Sequence, residues 1–268
     1  MLVPGDTNST LAGALAAAKM GIPVAHVESG CRSFDTSMPE EVNRRITDHC
    51  SDVLFCVSSW ARDQLLKEGI ESGNIELVGD TMFESVMDHL SDIESDDIRK
   101  ELGVDSDYLV LAVHRAENTD NAQRLTDIFK TIINLDRDII FPCHPRTKNR
   151  LREIGLLESV ESKIRLIEPI GYFSMLRLLR DADIVLTDSG GIQKEAFWLD
   201  TPCVTLRENT EWRETIELGW NKLVGANPEY ILSAINGYTE NPPERKENPY
   251  DFGGASKNIL EIIEKRFG

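Results

Sequence analysis

Along this chain, continuous apolar runs alternate with stretches in which apolar residues recur every three or four positions. The runs Ile22–Ser29, Asp52–Ser58, Tyr108–His114, Asp138–His144 and Ala182–Asp188 read as strands covered on both faces. Between them, Leu11–Met20, Trp60–Glu68, Ala122–Asn134 and Ser174–Arg180 carry helical spacing. Strands separated by helices in this way build parallel sheets from β-α units. The expected class is α/β, with doubly wound parallel sheets.

The order of these elements divides the chain. After Ile75–Asp80 comes a charged helical stretch, Thr81–Leu102, and then Gly103–Asp107 opens a fresh series of strands. A hinge near Gly79–Asp80 is expected, with a first domain over 1–80 and a second over 81–252. The prolines and glycines of Thr239–Gly254 break regular structure. A last amphipathic helix, Ala255–Phe267 within a returning segment 253–268, carries Ile259, Leu260, Ile262, Ile263 and Phe267 at helical spacing. The first ten residues hold only the end of a strand before a helix begins. The first domain is therefore expected to be incomplete, with an unpaired edge on its first strand.

Composition narrows the function. Against 29 basic residues stand 46 acidic ones, a formal charge of −17. A nucleic-acid partner, which needs a basic face, is not expected. No apolar run approaches a membrane span, and the first residues lack a basic stretch followed by a long apolar core, so no membrane partner and a cytoplasmic location are expected. The five cysteines (Cys31, Cys50, Cys56, Cys143, Cys203) do not pair at metal spacing and read as reduced, structural thiols.

The stretch Leu186–Ala196, "LTDSGGIQKEA", runs from an apolar strand through Asp-Ser-Gly-Gly into a helix. Two glycines at such a turn let a ligand approach the backbone and admit dihedrals closed to other residues, and the helix N-terminus favours an anion. The alternative is a plain turn in which Ser189 caps the helix. Other polar groups fall at carboxyl ends of strands, where such sheets bind ligands: Asp6, His26, Glu28, Glu40, Glu41, His114, Arg115, Glu117 and His144. Each has a local reading too. Asp6 could cap the helix starting near Thr7, and Glu40 and Glu41 could complement a helix dipole. No His, Cys or Asp cluster has metal-ligand spacing, and no metal is expected.

The motifs together are specific. "GDTNSTLAGALAA", "IPVAHVESGCRSFDTSMPEEVNRRITDH", "VHRAENTDN", "FPCHPRT", "PIGYFSML", "LTDSGGIQKEA", "PCVTLRENTEW" and "NPYDFGGAS" follow one another in an order that resembles the non-hydrolysing UDP-N-acetylglucosamine 2-epimerases. The resemblance implies a GT-B-like pair of Rossmann-like domains, with the UDP-sugar in the cleft and a last helix returning to the first domain. It also implies a homodimer and a part in making surface-polysaccharide or glycoprotein sugars. It assigns Asp6, Glu28 and Glu40 as the acid–base carboxylates and His114 as the histidine on the phosphate side. Ser189, Gly190 and Gly191 would contact the diphosphate, Glu195 the ribose, and Ile170 and Met175 the uracil. UDP would leave as the C2 proton is removed, giving a 2-acetamidoglucal, with no redox cofactor required.

Departures from the pattern are specific as well. Trp212-Arg213-Glu214 replaces a common Arg-Pro-Glu, so that Arg213 becomes the candidate substrate arginine, and a Gly-Thr-Arg-Pro-Glu loop near the family's start is absent. Two other classes stay open at this point: a non-catalytic UDP-binding remnant and a GT-B glycosyltransferase.

Overall fold

The computed structural model describes residues 1–104, 107–244 and 248–268. Parts of two sequence expectations, the opening of the second strand series (105–106) and the Pro/Gly-rich loop (245–247), lie outside the described residues. The chain forms two compact units, Met1–Asp88 with Glu247–Gly268, and His89–Lys246. The division falls one helix later than the expected hinge. The helix Thr81–Asp88 stays with the first unit, where it packs on the C-terminal helix Ala255–Phe267. The expected single helical stretch Thr81–Leu102 is three helices, Thr81–Asp88, Leu90–Ser95 and Ile98–Leu102.

In the first unit, strands β1 (Leu2–Pro4), β2 (Ala25–Ser29), β3 (Val53–Cys56) and β4 (Ile75–Leu77) form an all-parallel sheet in the order β1-β2-β3-β4. β1 is one of the two outer strands, and Met1 and Leu2 are about half exposed. Ala25, Val27, Val53, Phe55 and Val78 form one core with Ile259 of the C-terminal helix, and Ile262 and Ile263 pack against it. Leu260 and Phe267, expected on the same apolar stripe, face solvent.

The second unit holds six parallel strands: β5 (Tyr108–Ala112), β6 (Asp138–Pro142), β7 (Arg165–Ile167), β8 (Ile184–Thr187), β9 (Cys203–Thr205) and β10 (Asn221–Leu223). Their order is β10-β9-β8-β5-β6-β7. The chain starts at the centre, winds outward to β7, and returns to lay β8 on the other side of β5. That reversal makes β5 and β8 a topological switch point, the place where open α/β sheets take ligands. Both strands are buried along their whole length. Among the described residues, no helix is long and apolar enough to cross a membrane.

The segment before the C-terminal helix is tied to the first unit by backbone. The amide of Asp80 donates to the Tyr250 carbonyl at 3.0 Å, and Tyr250 is buried. Gly79 makes that approach possible: its φ is +92°, and a Cβ there would stand 2.9 Å from the Tyr250 oxygen. Strain and collision with rigid backbone both oppose a side chain. Gly79→Ala is expected to cost on the order of 2 kcal/mol and to loosen residues 248–268 first, read by urea unfolding and by backbone hydrogen exchange. Unchanged stability and protection would refute this account.

Candidate active site

In the first unit, the loop after β1 is held at nearly every residue. The Gly5 amide donates to the Val27 carbonyl, and Thr10 Oγ1 donates to the Pro4 carbonyl at 2.6 Å. The side chain of Thr7, not Asp6, caps the helix Asn8–Lys19. That leaves the Asp6 carboxylate for Arg44, whose Nη2 and Nε lie 2.6 and 3.1 Å from Oδ2. Asn43 Nδ2 donates to the Asp6 carbonyl at 2.9 Å.

Asn43 and Arg44 belong to the helix Pro39–His49, one turn after Glu40. Residues three and four apart share a helix face, so Glu40 lies on the face that grips Asp6. The neighbouring Glu41 is spent on structure: fully buried, it accepts from the Ser33 amide and hydroxyl, Arg44 and Arg45. Glu40, half-buried, makes no side-chain hydrogen bond among the described residues.

Glu28 sits at the carboxyl end of β2, beside the β1 loop, since Pro4 pairs with Val27. The β2–β3 register shifts between Val27 and Ser29, a bulge that turns Glu28 out of the ladder. Its φ is +70°, left-handed backbone that a glutamate adopts only at a cost of about 1 kcal/mol or more. No residue flanking Glu28 signals that strain. Asp6, Glu28 and Glu40 are thus gathered at one edge of one sheet.

In the second unit, the loops after β5 and β8 meet at the switch point. Asp188, fully buried, accepts from the amides of His114 and Arg115 at 3.0 Å and from Asn118 Nδ2 at 3.1 Å. One carboxylate therefore fixes the loop bearing His114. The His114 ring lies 6.3 Å from that of His144, centroid to centroid. Burial lowers its pKa, and the charges of Arg115, His144 and Arg146 add to that against the pull of Asp188. His144 has a structural task, since its Nδ1 accepts the Arg146 amide and caps the helix Pro145–Glu153.

The helix Gly190–Trp198 begins directly after the Ser189 cap. The expectation that its glycines need forbidden dihedrals is corrected: neither Gly190 nor Gly191 lies at positive φ. A Cβ at Gly190 would meet nothing nearer than Trp212 Nε1 at 3.5 Å, and at Gly191 nothing nearer than Ser189 Oγ at 4.0 Å. The protein itself does not require glycine here. Gly191 leaves open space over the first turn of the helix, whereas a Cβ at Gly190 would be in ordinary contact with Trp212, Arg207 and Glu211.

Glu195, one turn on, is buried; burial raises its pKa, against the Tyr172 hydroxyl that donates to it at 3.0 Å. Beside Gly190, the buried Arg207 is paired with Glu211 at 3.1 Å, and Lys194 lies over Trp212 at 3.9 Å. Ile170 and Met175 are half-buried, in the loop before and on the helix Tyr172–Arg180. Arg213 is exposed at the first position of the helix Arg213–Glu217.

Two all-parallel α/β units, each with polar groups at the carboxyl ends of its strands, define a Rossmann-like enzyme of GT-B type. A family model described as UDP-N-acetylglucosamine 2-epimerase matches residues 1–264, and the chain belongs to that family. It is 45% identical over 273 residues to the UDP-N-acetylglucosamine 2-epimerase of Methanocaldococcus jannaschii, across 98% of this chain and 74% of that protein. It is 41% identical over 272 residues to the UDP-2,3-diacetamido-2,3-dideoxy-D-glucuronate 2-epimerase of Pseudomonas aeruginosa, across 99% and 74%. The crystal structure of the M. jannaschii enzyme in complex with UDP-GlcNAc and UDP matches with a TM-score of 0.92 at 45% identity, covering 98% of this chain and 75% of that one.

The strain at Glu28 makes a separable prediction. Glu28→Gly is expected to keep or raise unfolding stability, by about 1 kcal/mol, while removing the carboxylate. A clear loss of stability in thermal unfolding would show that Glu28 is not strained at rest.

Proposed function

We propose that this chain inverts C2 of UDP-N-acetylglucosamine, interconverting it with UDP-N-acetylmannosamine. A carboxylate among Asp6, Glu28 and Glu40 removes the C2 proton as the C1–O bond breaks and its electron pair leaves with UDP. The C1–C2 double bond of a 2-acetamidoglucal forms. UDP then adds back at C1 while a carboxylic acid delivers a proton to the opposite face of C2. Atoms and charge balance without a cofactor, and positioned acids and bases suit this chemistry.

The observation that carries the reading is the grouping of those three acids at one sheet edge, with Glu28 in strained backbone, in a chain of this family. The second unit supplies groups suited to the leaving diphosphate: the helix N-terminus at Gly190 and Gly191, the Ser189 hydroxyl (its amide is already given to Thr187 Oγ1 at 3.0 Å), and the His114 imidazole. Glu195 would accept from the ribose hydroxyls, with Tyr172 occupying one of its oxygens. Ile170 and Met175 would flank the uracil, and Arg213 is the candidate cation toward the substrate. The Pseudomonas relative favours a second reading with the same chemistry, in which the sugar carries further acetamido and carboxylate groups.

Incubation with UDP-N-acetylglucosamine in deuterated water is expected to place deuterium at C2. Acceptor-dependent UDP release without exchange would indicate a transferase, and binding alone a non-catalytic protein. Glu28→Gln is expected to bind UDP within about threefold of wild type while exchange falls roughly a hundredfold or more.

Gly191→Val should change stability by under about 1 kcal/mol, since the site is open, yet weaken UDP binding at least about tenfold by covering the helix amides. Calorimetry showing unchanged UDP affinity would remove the diphosphate from this helix.

A further inference from the structure

One buried side chain adjoins all three segments that carry Asp6, Glu28 and Glu40. His26 lies in β2, two residues before Glu28, and is wholly buried. Its Nε2 stands 2.8 Å from the carbonyl oxygen of Gly5, the residue before Asp6. Its Nδ1 stands 2.7 Å from Oδ1 of Asp48, in the last turn of the helix whose first turn holds Glu40.

The chemistry of those two partners fixes the proton count. A carbonyl oxygen only accepts. Asp48 is also an acceptor, because its Oδ2 takes Arg32 Nη2 at 2.7 Å and the Gly30 amide at 3.2 Å. Each ring nitrogen must then carry a proton to donate. We infer that His26 is a positioning residue held as an imidazolium, and that this buried cation fixes the Asp6 loop, the Glu28 bulge and the Glu40 helix relative to one another.

The surrounding charges agree. Asp48 faces the ring from the Pro39–His49 helix and Glu28 from its own strand. Behind Asp48 lie Arg32 and then Glu68, the C-cap of the Ser59–Lys67 helix, joined at 2.8 and 2.9 Å. Beyond Gly5 lies the Asp6–Arg44 pair. From β3, the Cys56 thiol stays neutral, its pKa pushed up by burial and by Asp48. Burial by itself opposes the charged ring. The Asp48 hydrogen bond and charge, the Gly5 carbonyl and the Glu28 charge outweigh it and raise the pKa of His26 above its ordinary 6.5.

A pKa raised on folding gives stability that is fully present below the unfolded value and is lost as pH rises through the folded one. Asp48 has the opposite sense: burial opposes its charge, but His26 and Arg32 lower its pKa, so its contribution is lost as pH falls through the folded value. The three acid-bearing segments should therefore loosen together on the alkaline side as His26 gives up its proton.

The test uses the full chain without substrate. In 15N-labelled protein at neutral pH, both ring nitrogens of His26 are expected at imidazolium shifts, each bearing a proton. Raising the pH until that signature disappears should speed backbone hydrogen exchange at residues 5–8, 28–30 and 40–41 together, with the second unit unchanged. His26→Gln, whose amide can serve only one of the two acceptors as a donor, should show the same three-segment loosening at neutral pH. If that variant fails to fold, the wild-type ring signature and its pH dependence still decide.

A neutral His26 ring at pH 7, or exchange that does not change at these segments when the proton leaves, overturns the inference. Its catalytic consequence rests on the epimerase reading: His26→Gln should lower kcat for C2 exchange at least tenfold while UDP affinity stays within threefold. A wild-type chain that exchanges no deuterium would count against that reading alone, because the ring and backbone measurements are made without turnover.

Discussion

A parallel sheet ends all its strands at one edge, and the loops leaving that edge bring unpaired polar backbone into a half-buried place. Each unit meets this constraint with a fully buried aspartate. Asp48 accepts from the Gly30 amide, His26 and Arg32; Asp188 accepts from the amides of His114 and Arg115 and from Asn118. A buried carboxylate is costly unless several donors satisfy it, so each one defines the loop around it sharply. Asp48 gathers the segments carrying Asp6, Glu28 and Glu40, and Asp188 sets the loop carrying His114. The candidate reactive groups stand on these two anchors.

The anchors differ in kind. Asp188 is satisfied by neutral N–H groups from one short loop, so its geometry belongs to the β5–β8 switch point. Asp48 is satisfied by two cations drawn from β2 and the loop after it. Removing one member of such a buried charged set leaves another charge unpaired, typically a loss of about 3–5 kcal/mol. The first unit thus spends buried charge on register. That is consistent with its having to hold Glu28 in backbone that no local preference supports.

Long-range pairing also explains what the sequence could and could not disclose. The strands Tyr108–Ala112, Asp138–Pro142 and Ile184–Thr187 are legible because each centres on a continuous run of buried apolar residues; their expected ends overrun where His114, His144 and Asp188 leave the sheet. The three-residue strands β7, β9 and β10 are too short to show any period. The local reading of Asp6 as a helix cap fails because Thr7 takes the cap, which leaves Asp6 for Arg44. Arg44, Asn43, Asp48 and Arg32 carry no such local signal, because their partners lie far away in sequence or on another element. Arg44 carries only one local clue, its place one turn after Glu40. The strain at Glu28 had none, since left-handed backbone at a glutamate is imposed by the bulge and not by its neighbours.

Charge raises the last question: how a chain with a formal charge of −17 could accept a diphosphate. Free cations are not the means at the helix Gly190–Trp198, where Arg207 is paired with Glu211 and Lys194 is held between Trp198 and Trp212. Those buried cations are already committed to acids or rings within the unit. The helix amides are different. They carry partial positive charge, face open space at Gly191, and need no counterion before a ligand arrives. Because that attraction is short-ranged, it holds against a repulsive net charge that salt screens over about 8–10 Å. An anion site built from backbone would thus be compatible with an acidic surface, and Gly191, open and with no conformational need to be glycine, is where the proposed diphosphate would meet it.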